Sequence, residues 1–234
     1  VRQVILDTET TGLQTEDGHR IIEIGCIELV NRKFTGRRYH QYINPQRVID
    51  DGALAVHGIT NQFLANKPTF AEVVDEFITF IHDAELIIHN APFDIGFINY
   101  ELRLLGRQAQ PVNEDHYRII DTLVLARQMH AGQRNGLDAL CKRYNIDNSH
   151  RELHGALLDA HLLAQVYLAM TGGQGSLFDE LQSDDATMTE ITDRIIVQAQ
   201  KKNLRVLRAN DQELSQHTSQ LQNMRAKGKC IWVE

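Results

Sequence analysis

The spacing of hydrophobic positions changes several times along the chain, and each change marks an element. Gln3–Asp7 is a short apolar run ending in acids and threonines, and Arg20–Val30 is rich in Ile; both predict strands. Asn31-Arg32-Lys33 predicts a turn into a third strand, Phe34–Ile43, closing a hairpin. After Pro68 the period becomes helical. Phe70, Val73, Val74, Phe77, Ile78 and Ile81 share one face, with Thr69 as N-cap. Glu85–His89 predicts a buried strand, followed by a helix from about Asp94 to Leu105. Arg118–Asp121 predicts a fifth short strand, before helices near Leu123–Met129, Leu137–Tyr144 and Gly155–Met170. Three strands followed by alternating helix and strand predict an α/β fold, a mixed five-stranded sheet flanked by helices. Further on, Ile191, Ile195 and Ile196 mark an amphipathic helix. Asn210 with Glu213 forms a capping box for another, with Leu214, Leu221 and Met224 on one stripe, and Cys230–Val233 could add a strand.

Charge divides this pattern into parts. The 234 residues carry a net charge of -7, but acids outnumber bases only modestly over residues 1–172. Residues 173–193 then hold Asp179, Glu180, Asp184, Asp185, Glu190 and Asp193 with no Lys or Arg, and basic residues dominate 194–234. The expected organisation is a core domain at 1–172, an acidic flexible linker at 173–188 and a small helical C-terminal segment at 189–234. The acidic balance disfavours a basic phosphate-binding surface as the main business. Cys26, Cys141 and Cys230 lie far apart without a C-x-x-C, which fits a reducing cytoplasm. No apolar run approaches the ~20 residues of a membrane span, so no membrane partner is expected.

Three clusters carry candidate chemistry. In Asp7-Thr8-Glu9-Thr10-Thr11-Gly12 the two acids alternate along a strand and project together. Side by side they repel unless a hard divalent cation lies between them, although a solvated strand end fits the hexapeptide equally well. Asp94 follows Pro92 at a helix start, where any acid is favoured by the helix dipole. Asp159 falls inside an apolar helix beside Leu157, Leu158, Leu162, Leu163 and Val166, where an unpaired acid is costly. His154 stands at the loop-to-helix junction before it. His150, His154 and His161 superficially suggest zinc spacing, but no Cys accompanies them and no H-E-x-x-H motif appears.

In order, spacing and context, Asp7 with Glu9, then Asp94, then His154 with Asp159 resemble the motifs of the DEDD-type 3′–5′ exonucleases, in the DEDDh branch where histidine precedes the last aspartate. Ile21–Gly25, Val56–Ile59, Lys67–Phe70, Asn135–Cys141 and Leu153–Ala160 are similar to one group of that branch, the proofreading (epsilon) subunits of bacterial DNA polymerase III. The resemblance spans roughly residues 3–173 strongly and the tail more loosely.

The resemblance implies a ribonuclease-H-like fold and hydrolysis of the 3′-terminal phosphodiester by two divalent metal ions, Mg²⁺ or Mn²⁺. Asp7, Glu9 and Asp159 would hold one metal, and Asp7 would bridge to a second with help from Asp94. His154 would take the proton from the attacking water. Val56, His57 and Phe93 would contact the terminal nucleotide beside Asp7, Glu9 and Asp159. Gly52 departs from the acidic nucleotide contact of the family. Gln174-Gly175-Ser176-Leu177-Phe178 looks like the clamp-binding peptide of bacterial replication proteins, with Gln174, Ser176, Leu177 and Phe178 meeting the beta sliding clamp.

The basic tail, by the same resemblance, would anchor the polymerase III alpha subunit, with a small theta-like accessory subunit as a further partner. The expected place is the bacterial cytoplasm, at the replisome, and the expected intrinsic grip on the DNA 3′ end is weak. Two alternatives stay open on the residues. One is a free-standing exonuclease acting on RNA or repair intermediates; the other is a structural adaptor without catalysis.

Overall fold

A computed structural model of the chain describes residues 1–107, 110–149, 151, 153–172 and 209–227. Its central strand is β1, Arg2–Thr10, buried along nearly its whole length. Antiparallel to it runs β2, Ile21–Val30, which turns into β3, Lys33–Tyr42. Asn31 and Arg32 both take positive φ, 49° and 65°, as a two-residue hairpin turn with the sheet's twist requires. On the other side β4, Glu85–Ile88, lies parallel to β1, and β5, Ile119–Asp121, parallel to β4. The sheet order is β3-β2-β1-β4-β5. This is the mixed five-stranded sheet predicted.

Alternation along β1 and β2 splits the core into two layers. Val4, Leu6, Ile24 and Cys26 face one layer, with Phe70 and Phe77 of α3, Phe70–Ile81, and Ile98 of α4, Ala91–Leu104. Thr69 and Glu72 close α3 with a full capping box. Ile5, Ile27 and Leu29 face the other layer, against Ala160, Leu163, Ala164 and Tyr167 of α7, Ala156–Thr171. The far side of α7 is buried too, because Leu162, Val166 and Met170 pack with Ala126 of α5, Thr122–Met129, and with Leu140 of α6, Leu137–Arg143. An apolar helix without a polar stripe is the result.

Several boundaries differ from the sequence expectation. β1 runs on through Thr8, Glu9 and Thr10, since these polar side chains are buried by neighbouring elements. α4 starts at Ala91, three residues early. Two short helices were not anticipated, α1 at Asp51–His57 and α2 at Asn61–Leu64. Each has one buried residue, His57 and Leu64, so neither has an apolar period to read.

The chain divides into two compact units, Val1–Ser183 and Asp184–Glu234. In the second, the described residues centre on α8, Asp211–Lys227. The expected capping box is present there. The Asn210 amide donates to Glu213 Oε2 and the Glu213 amide to Asn210 Oδ1, both at 2.9 Å. The expected linker and clamp peptide, the helix around Ile191–Ile196 and the strand at Cys230–Val233 lie outside the described residues. No helix among the described residues is long and apolar enough to cross a membrane.

Candidate active site

The site forms where the carboxyl end of β1 meets the starts of α4 and α7. Asp7 and Glu9 alternate with Thr8, so they lie on the α7 face while Thr8 points to the opposite one. There the Thr8 hydroxyl donates to Asp94 Oδ1 at 2.7 Å. The turn into α4 is tight. Asn90 adopts a left-handed φ of 66°, and its amide and that of Ala91 donate to Asp121 at 3.2 and 3.1 Å. Pro92 then occupies the first turn of α4. These contacts bring Asp94, 3 % exposed, to the end of β1.

The start of α7 is set by β2. A Cβ at Gly25 would lie 2.3 Å from the Ala156 carbonyl carbon and the Leu157 nitrogen, so only glycine admits the helix this close. Glu23, buried in the same strand, accepts from the Ala156 amide at 3.2 Å, and His40 Nε2 lies 2.7 Å from its other oxygen. Asp159, one turn into α7, is thereby held in the cleft and is buried. His154 sits before the helix on the exposed side, its amide donating to the Val56 carbonyl at 3.1 Å.

Asp7, Glu9, Asp94, His154 and Asp159 line one cavity of about 1030 Å³. Ligand atoms of Glu9, His154 and Asp159 all lie within 4.8 Å of one another. Burial, and then the negative charges of Asp94, Glu9 and Asp159, push the Asp7 carboxyl well above its ordinary range. Burial and then Asp159 push Glu9 up to about 8. Asp94 is also raised by burial, against the opposing hydrogen bond from Thr8. Acids raised together in this way lack countercharge, and a hard divalent cation with oxygen ligands is the group they fit. Arg134, Lys142 and Arg151 line the same cavity, and among the described residues Arg151 is the one that pairs with an acid of the cluster, its Nε and Nη2 donating to the two oxygens of Asp159 at 2.5 and 2.7 Å.

A second cavity of about 590 Å³ adjoins the first, with Thr8, Glu9 and Phe93 lining both. Val56 and His57 line it, so all three expected nucleotide contacts meet beside the carboxylates. His57 accepts from the Ile59 amide through Nδ1 at 2.9 Å. Its buried Nε2 lies toward Thr10 without a well-formed hydrogen bond. Burial lowers the pKa of this imidazole. Gly52 lines the same cavity, and a Cβ there would meet nothing within 4 Å.

Four supporting residues escaped sequence reasoning: Thr8, Glu23, Asp121 and Arg151. Glu23 had a usable signal, an acid between isoleucines in a strand. Arg151 had none, since one basic residue on a loop does not reveal which acid it meets.

A family model described as Exonuclease matches residues 4–167. DNA polymerase III subunit epsilon of Escherichia coli is 51% identical over 242 residues, covering 99% of this chain and 97% of that protein. The subunit of the same name from Rickettsia felis is 48% identical, covering 93% and 94%. Among solved structures, exonuclease X in complex with 5′-overhanging duplex DNA is 28% identical, with a TM-score of 0.56, covering 74% of this chain and 93% of that one. The nuclease domain of 3′hExo, a DEDDh family member bound to rAMP, shares the fold at 19% identity, with a TM-score of 0.62 and coverage of 72% and 90%. The chain therefore belongs to the exonuclease family, as a 3′–5′ exonuclease, and within that family to the epsilon subunits of DNA polymerase III.

Proposed function

We propose that this chain proofreads DNA within a replicase, hydrolysing the 3′-terminal phosphodiester of mispaired primer ends and releasing nucleoside 5′-monophosphates. One observation carries the reading. Four carboxylates from β1, α4 and α7, with a histidine just before α7, line a single cavity, and burial followed by neighbouring acids raises Asp7, Glu9 and Asp94 among them. Two divalent cations, Mg²⁺ or Mn²⁺, supply electrostatic stabilisation of the attacking and leaving oxygens when bound. Asp7, Glu9 and Asp159 would hold one of them, and Asp7 with Asp94 would hold the other. His154, exposed and on a loop, takes the proton from the attacking water. The terminal nucleotide lies against Val56, His57 and Phe93, close to Asp7, Glu9 and Asp159. The full-length relatives, named as DNA polymerase III subunits, favour DNA over RNA as substrate and favour a polymerase as partner.

An enzyme with few base contacts and a net charge of -7 needs partners to stay on a duplex. Residues 1–172 are the exonuclease domain and 173–188 the linker. Within it, Gln174, Ser176, Leu177 and Phe178 bind the beta sliding clamp. Residues 189–234 anchor the polymerase alpha subunit, with a small theta-like subunit as an additional partner, at the bacterial replisome in the cytoplasm.

Asp7→Ala or Glu9→Ala is expected to abolish Mg²⁺-dependent digestion of a single-stranded oligonucleotide. A full rate in either variant would show the carboxylate assignment to be wrong. Leu177→Ala combined with Phe178→Ala is expected to lose clamp in a pull-down while digesting the oligonucleotide normally; normal clamp capture would reject the linker peptide.

A further inference from the structure

Arg151 has no part in the chemistry above, yet it touches two of the groups that chemistry needs. Its Nε and Nη2 cover both oxygens of Asp159. Nη2 also donates to His154 Nδ1 at 3.0 Å. On its other edge, Nη1 pairs with Asp138 Oδ1 at 2.6 Å. The Arg151 and Asp159 side chains are 6% and 4% exposed, whereas Asp138, on α6, is 63% exposed. Resting on the proposed roles of Asp159 and His154, we propose that Arg151 is a displaceable counter-cation. It latches the centre shut in the absence of divalent cations and withdraws toward Asp138 when they enter.

The contacts that stabilise the latched state are the ones that block the centre. A planar guanidinium matched to a carboxylate uses the in-plane lone pairs on both oxygens, the same lone pairs a hard cation requires. The bond to His154 acts alike. A neutral imidazole that accepts at Nδ1 carries its proton on Nε2, so it has no free lone pair to take a proton from water. One side chain therefore occupies a metal ligand and the general base together. Leaving is possible because Asp138 offers a second, solvated partner, itself held by Asn148 Nδ2 at 3.0 Å. With Asp138 as an anchor, the guanidinium can give up Asp159 without leaving the loop that carries His154. One directly paired guanidinium is a modest match for four converging carboxylates, with Arg134 and Lys142 elsewhere on the cavity wall, so divalent cations outcompete it and their absence restores it.

The test uses the full chain, stripped of metal, with Mg²⁺ titrated calorimetrically at pH 8. Arg151→Ala is expected to bind Mg²⁺ about tenfold more tightly, within the usual range for coupled sites. Without metal it is expected to melt below the wild type, and saturating Mg²⁺ should raise its melting temperature by more than it raises the wild type's. Unchanged or weaker Mg²⁺ binding would overturn the latch, since a merely structural arginine, once lost, loosens the site.

Arg151→Lys keeps the charge but not the planar fork, and is expected to fall between the two; wild-type affinity in it would overturn the role of the fork. In the wild type, the Arg151 Nε–Hε signal in nitrogen-edited NMR is expected to exchange slowly with solvent without metal and to lose that protection at saturating Mg²⁺. Persistent protection would overturn displacement even if Arg151→Ala failed to fold. Asp159→Asn separates this inference from the reading beneath it. Wild-type Mg²⁺ affinity in that variant means that the carboxylate assignment itself has failed.

Discussion

Buried acids occupy two settings in this molecule, distinguished by the number of cations that meet them. Away from the cleft, Glu28 and Glu101 are each matched. Glu28 receives Arg2 at 2.7 Å, Arg37 at 3.0 Å and the Thr35 hydroxyl at 2.8 Å. Glu101 lies in the fork of Arg20, at 2.8 and 2.6 Å, and also accepts from the Ile21 amide. In the cleft Asp7, Glu9, Asp94 and Asp159 converge, and among the described residues a single guanidinium, that of Arg151, pairs directly with one of them. The electrostatics diverge accordingly. Burial works against the Glu28 anion, yet Arg2, Thr35 and Arg37 together hold its carboxyl below the usual range. Burial and neighbouring acids push Glu9 up to about 8. A buried acid with its own cation is part of the framework, whereas a group of buried acids short of cations is a site awaiting them.

Breaking one member of each group separates them. The largest effect on stability is expected from Glu101→Ala, which leaves Arg20 without its buried partner. We expect a loss of about 3 kcal/mol, lowering Tm by roughly 6–12 °C, with digestion per folded molecule retained. A smaller effect is expected from pH. The Glu9 carboxyl binds its proton more tightly folded than unfolded, so the native state holds more protons between the unfolded pKa of about 4.3 and about 8. Stability of the metal-free protein therefore falls as pH rises through that window. Thermal melts from pH 5 to pH 8 in EDTA should show the decline, and saturating Mg²⁺ should flatten it. The smallest effect is expected from Glu9→Gln, which should reduce that decline only in part, because Asp7 and Asp94 are raised as well. A decline of the same size in Mg²⁺ would contradict the shortage of cations.

Much of this could be read in advance where burial leaves a period. β2, α3 and α7 carry repeated apolar positions, and their limits, with those of β3 across the Asn31-Arg32 turn, fall within a residue or two of expectation. α1 and α2 were invisible because each is short and buries a single side chain. The early start of α4 depends on Asn90 at positive φ and on Asp121, a residue thirty-one positions away, which no local pattern reveals. For the site, Asp159 stands out because an acid in an apolar helix contradicts its surroundings, whereas Asp7 and Glu9, between threonines, are picked out by their alternation and by the resemblance of the three motifs taken together. Their supports were not. Thr8 and Arg151 are ordinary residues for a strand and a loop, and only the folded chain shows what they hold.

The closeness of α7 to β2 at Gly25 has a consequence for how the site keeps its dimensions. The separation between the Asp7 strand and the Asp159 helix is gauged by a single hydrogen atom on the Gly25 Cα, opposite Asp7 in the strand register. Nothing in the cleft itself sets that spacing. Its width is inherited from the core, so a methyl group added beneath the helix would act as a shim, widening an active site it never touches.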